Sequence, residues 1–191
     1  MSGNLDLTLW YLGRGTGVVA LLMFTLAMVL GIVTRSGRSP LGIGRFGATD
    51  LHRTASLAGT ALLVVHVGSL LFDPYAQLRL VDLAVPFLGS YRPLYLALGT
   101  LALDVTAVVV VSSLLRRRLG PRVFRGVHWA AYALWPLAMV HVLGIGTDMS
   151  TLWLRLLAVV CSAAVLGAVG WRLTERYAER GIARVARRIA S

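Results

Sequence analysis

The sequence predicts an all-α polytopic membrane protein, a bundle of five transmembrane helices, on three observations. The chain is 57% hydrophobic and only 14% charged, with a mean hydropathy of +0.75, which is too apolar for a soluble domain of this size. Five runs, at about 10–33, 52–72, 93–115, 127–147 and 150–172, approach or reach the roughly 20 residues that cross a bilayer. The arginines, which supply every one of the 19 basic residues, gather in alternate connections.

One basic set is Arg35, Arg38 and Arg45 in the connection 34–51, with Arg53 just inside the next span. A second is Arg116, Arg117, Arg118, Arg122 and Arg125, and a third follows Trp171. The opposite connections set Arg14, Arg79, Arg92 and Arg155 against Asp6, Asp73, Asp82 and Asp148. The positive-inside rule then puts the N-terminus outside and the C-terminus in the cytoplasm. The net charge of +11 reports this orientation and requires no nucleic acid.

The first residues, MSGNLDLTLWYLG, lack the basic start and small-residue cleavage site of a signal peptide, so the first span is expected to stay in the mature chain. Gly13, Gly15 and Gly17 suit close helix approach. Arg14, one turn inside the outer surface, either snorkels to headgroups or anchors a carboxylate of a bound cofactor. Gly42, Gly44 and Gly47 have GxGxxG spacing, but no strand and βαβ unit surround them, and they are read as a flexible cytoplasmic turn. No P-loop is possible, because the chain has no lysine.

The second span holds His52 and His66, a 14-residue step that separates the imidazoles by about 20 Å along a helix. The connection 73–92 is apolar in the middle and too short to cross; it is expected to lie in the interface as a surface helix or to roof a cofactor. Asp104 falls near the middle of the third span, where a carboxylate is expensive. Thr100, Thr106 and Arg155 are its candidate partners, and its roles are a neutral or paired structural acid or proton uptake.

The fourth span holds His128 and His141, a 13-residue step. On a straight helix that step ends about 140° from its start, so Pro136 between them is read as a required distortion. The fifth span leads into a tail, 173–191, where Arg176, Arg180 and Arg184 continue a four-residue repeat from Arg172. The tail suits a basic amphipathic helix along the inner leaflet or a dock for an acidic redox partner. Cys161 is the one cysteine, which excludes a disulfide framework, a thiolate metal site and a CxxCH haem attachment.

All four histidines of the chain therefore lie in two spans at near-equal spacing. If those helices pack at matched depth, the rings form two facing pairs, one near each membrane face, each able to hold a haem iron from both sides. A non-haem metal and a proton relay are the other readings. Two filled axial positions leave no place on iron for substrate, so such a cofactor favours electron transfer.

The pair His52 and His66, the segment VVSSLLRRRLGPRVFRGVHW leading into His128, and His141 one spacing later resemble the ferric reductase-like transmembrane domain. Its relatives include metalloreductases, NADPH oxidase membrane domains and the haem membrane subunits of periplasmic methionine sulfoxide reductase systems. The region DPYAQLRLVDLAVPFLGSYRPLYLALG is similar to the outer loop of small bacterial members.

The resemblance implies a haem domain over 1–172 in the bacterial cytoplasmic membrane. It implies two b-type haems, held by His52 with His128 on the inner side and by His66 with His141 on the outer side. Arg53, Arg122 and Arg125 become candidates for the inner propionates, and Arg14, Arg92 and Arg155 for the outer ones. The implied activity is electron transfer from a cytoplasmic donor to an extracytoplasmic acceptor. A nicotinamide delivers hydride, so a flavin is needed to split the electron pair, and it is expected on a partner reductase. The alternatives are a quinol-oxidising dihaem cytochrome and a non-redox transporter or proton relay.

Overall fold

The computed structural model describes residues 2–35, 44–145 and 150–174, which are helical with short connections and contain no strand. The helices are α1 (Ser2–Arg35), α2 (Arg45–Leu71), α3 (Pro93–Leu114), α4 (Arg116–His128), α5 (Ala131–Ile145) and α6 (Leu152–Arg172). Gly42, Asp148 and the tail beyond Thr174 lie outside the described residues. α1, α2, α3 and α6 are each long and apolar enough to cross a membrane, and α4 with α5 is long and apolar enough only as a bent pair, a broken fifth span or a re-entrant loop. The protein is a multi-pass membrane protein. Many of its large apolar side chains face outward, including Leu57, Val64, Val108, Val159, Val160 and Leu166, as lipid contact requires and water would penalise.

Small residues set the closest seam. α1 and α2 run antiparallel, with Gly13 against Ser69 and Leu70, Gly17 against His66, Gly59 against Met23 and Phe24, and Gly31 against His52. Gly15 faces open space, so only part of the glycine cluster serves the approach. A second seam joins α3 to α5, where Gly99 meets His141 and Gly144 meets the Tyr95 ring. The chief apolar core lies among α1, α5 and α6, where Leu21, Trp135, Met139, Ala158, Cys161 and Val165 are buried together. Trp135 donates its indole N–H to the Thr25 hydroxyl at 2.8 Å, and Thr25 in turn donates to the Leu21 carbonyl. That bond ties α5 to α1 and satisfies a buried polar group at the same time.

Two expectations are corrected. The connection 116–126 is largely helical, with Arg122, Arg125 and His128 at three-residue spacing along one face of α4. Gly120, at φ 73° and ψ 164°, breaks it locally before Pro121, a backbone conformation only glycine adopts readily. The expected fourth span is also not one helix distorted at Pro136. The chain bends by 42° between α4 and α5, at Trp129 and Ala130, and Pro136 sits inside α5. Two separate helix axes remove the phase mismatch between His128 and His141, because each axis presents its own face.

The connection 73–92 contains one short 3-10 turn, Leu80–Leu83, in place of a surface helix. Its Asp82 is buried and accepts two hydrogen bonds from the Arg79 guanidinium, at 2.8 and 3.1 Å. Those bonds hold the Asp82 carboxyl below the usual carboxylate range. Thr100 of α3 donates to the Asp82 carbonyl at 2.7 Å and fastens the turn to the bundle.

Candidate functional site

Three of the four histidines are held in one way. His52 donates Nδ1–H to the Ala27 carbonyl at 2.8 Å, His66 to the Gly13 carbonyl at 2.6 Å, and His141 to the Tyr95 carbonyl at 2.8 Å. A neutral imidazole whose Nδ1 carries the donated proton leaves Nε2 with a free lone pair, the form a metal ligand needs. In each case a glycine stands four residues after the accepting carbonyl, at Gly31, Gly17 and Gly99 respectively, and the ring lies against it. A Cβ on those glycines would come within 3.3, 2.7 and 2.6 Å of the ring. The bare glycine surface lets the imidazole reach a carbonyl whose other partner is the amide one turn ahead.

His128 is placed differently. It ends α4, its ring leans on Phe124 at 5.4 Å between centres, and its buried Nδ1 has no hydrogen-bond partner among the described residues. Its ring centre lies 6.2 Å from that of His52, with the planes inclined by 78°. An imidazole nitrogen sits about 2 Å from a bound transition metal, and ring bonds of about 1.3 Å put that nitrogen roughly 1 Å from the ring centre, so one metal between two imidazoles needs about 6 Å. The observed spacing meets that demand. His66 lies about 20 Å further along α2, and His141 lies near the far end of α5.

α2 packs along α1, and neither α3 nor α5 makes a comparably close backbone seam with it. The histidine-bearing faces of α2 and of α4–α5 therefore meet through side chains. Among the described residues no group of three or more histidine, cysteine, aspartate or glutamate side chains converges. Donors that come in pairs suit a metal whose remaining positions are filled by a macrocycle, and suit a bare ion poorly. The residues present fit haem.

The arginines expected near the cofactors divide. Arg14 stacks its guanidinium 4.3 Å over Trp10, one residue beyond the carbonyl that receives His66. Arg92, in a left-handed conformation before Pro93, donates to the Gly144 carbonyl three residues past His141. Arg125 lies one turn before His128, with Nε on the Pro121 carbonyl, and Arg53 is exposed beside His52. Arg155 donates to the Ser150 carbonyl, just before its own helix begins.

Asp104 is half-buried, and its expected threonine partners are engaged elsewhere, Thr100 with Asp82 and Thr106 with the Ala102 carbonyl. Thr106 makes the bond to its own helix that short hydroxyls favour, and Thr100 is taken up in fastening the 3-10 turn.

Sequence reasoning missed Arg35, which it counted only as an orientation charge. The guanidinium lies 5.5 Å from the ring of Trp129, the residue after His128. Arg172 covers the same indole at 4.7 Å and donates to the Tyr132 hydroxyl, so the ends of α1 and α6 meet over the α4–α5 break. The accepting carbonyls were missed as well, and the glycine four residues on was their one signal.

No curated protein and no solved structure matches the chain. A family model does, over well more than half of the chain and across three of the four histidines. It is the ferric reductase like transmembrane component, matched over residues 16–139, and the chain belongs to that family.

Proposed function

We propose that this protein carries single electrons across the bacterial cytoplasmic membrane through two b-type haems, one at the His52/His128 level and one at the His66/His141 level. The observation that carries the reading is the 6.2 Å facing pair of His52 and His128, with three imidazoles tethered through Nδ1 so that Nε2 stays free. Haem held there by His52 with His128 and by His66 with His141 would supply one-electron chemistry.

The chain's own residues do the rest. The carbonyls of Gly13, Ala27 and Tyr95 fix ring orientation and raise ligand basicity. Arg53, Arg122, Arg125 and Arg35 offer guanidinium to the propionates at the basic end, and Arg14, Arg92 and Arg155 offer it at the other. The basic end faces the cytoplasm by the positive-inside rule, and the N-terminus is outside. The domain proper is 1–172, with 173–191 a basic tail on the inner leaflet. A cytoplasmic flavin reductase on a separate polypeptide delivers electrons there, because a flavin must first divide a hydride's electron pair. An extracytoplasmic acceptor receives them, in the manner of a ferric reductase.

Pyridine haemochrome analysis of the purified chain tests the reading, with about two haems per chain expected. Reduction by a nicotinamide is expected only after a flavin reductase is added. Colourless protein whose behaviour ignores haem supply would overturn the proposal and leave a non-redox membrane protein.

A further inference from the structure

The four imidazoles are not equivalent. Three share one clamp, made of a carbonyl that takes Nδ1–H and a glycine four residues on that makes room for the ring. His128 has none of this. Among the described residues its buried Nδ1 has no partner, and Gly126, two residues before it, faces open space.

The backbone at His128 also lies where two helices meet. His128 is the last residue of α4, and Trp129 and Ala130 form the turn where the chain bends by 42°. A few terminal residues of this kind absorb φ/ψ change at low cost. His52, by contrast, sits within α2 and is pinned against Gly31 and Ala27 of α1.

Removing the hydrogen bond behind a metal-bound histidine weakens the hold on the metal by about 10- to 100-fold. By that measure the haem at the His66/His141 level has two fixed ligands, and the haem at the basic end has one fixed and one loose. We infer that His128 is the exchangeable axial ligand, and that the basic-end haem opens on that side to a small neutral ligand such as carbon monoxide. In the exchange the His128–iron bond breaks and a carbon–iron bond forms, with no net change of electrons or protons. His52 remains as the opposite ligand. The inference rests on the haem reading above.

The test uses the full chain, purified with its haem, reduced with dithionite and exposed to carbon monoxide while the Soret band is recorded. Haem content is measured first, so that colourless protein counts against the haem reading itself. With both haems present, about half of the haem is expected to form the adduct, since one of two sites has a loose ligand. The His66→Ala variant, which keeps the basic-end haem, should retain that adduct.

Gly99→Ala, which pushes on the His141 ring, should create a second reactive haem, whereas Gly15→Ala should not. Two haems with no adduct would overturn the inference while leaving the haem reading intact. So would an adduct in the parent chain that disappears in His66→Ala despite retained basic-end haem.

Discussion

The rings of His52 and His128 face each other with centres 6.2 Å apart and planes 78° apart, although the residues belong to helices that form no close backbone seam. If these two histidines hold one haem, rings this far from parallel would give a strongly anisotropic low-spin ferric EPR signal. Such a signal is expected from the oxidised protein. It should vanish in His52→Ala and in His128→Ala and persist in His66→Ala. A spectrum unchanged by His52→Ala would remove this pair from the site.

The two histidine levels should be separable. His66→Ala or His141→Ala is expected to remove one of two components from a redox titration and to leave the other. Both variants keeping the full haem content would show that the rings at that level are not ligands.

Gly17→Ala places a methyl 2.7 Å from the His66 ring, closer than real side chains tolerate. Overpacking of this kind costs about 1–3 kcal/mol, and here the ring yields first, because the glycine lies on the tight α1–α2 seam. Reduced haem occupancy and a lower melting temperature are expected. Gly15→Ala meets nothing within 4 Å and should instead gain up to about 1 kcal/mol from helix propensity. Thermal denaturation in detergent, followed by circular dichroism, compares the two.

Thr25→Val removes the acceptor of the Trp135 indole and strands a buried donor. The expected loss is about 1–3 kcal/mol. Trp135→Phe should lose less through hydrogen bonding, because the Thr25 hydroxyl keeps its bond to the Leu21 carbonyl. A double-mutant cycle on unfolding midpoints separates this coupling from the change in ring volume.

The Arg79 guanidinium lowers the Asp82 carboxyl from its ordinary range, chiefly by direct hydrogen bonding. A depressed folded value means that the pair stabilises the 3-10 turn at every pH above the unfolded carboxylate range. The stabilisation is lost only as pH falls through the lower folded value. Arg79→Gln should move that loss to higher pH. Limited proteolysis of the segment 79–91 across an acid series reads the shift, and identical pH profiles would show that the pair does not hold the turn.

Much of this protein was legible before any fold was known, because a bilayer imposes long apolar runs and makes a polar side chain inside them conspicuous. The spans, the four histidines and the mid-span Asp104 all come from that constraint, and the family resemblance rests on the same residues. What tertiary structure decided was how the rings are held.

The break at Trp129 and Ala130 carries no proline or glycine of its own, so the nearby Pro136 drew the expectation instead. The arginine-rich stretch 116–126 was expected as a connection between spans, yet it is helical apart from a local break at Gly120. Arg35 comes to Trp129, beside His128, only because α1 ends near the α4–α5 break. The carbonyls of Gly13, Ala27 and Tyr95 have no side-chain signature at all. Every residue owns a carbonyl, and only the approach of a second helix selects which one an imidazole can reach.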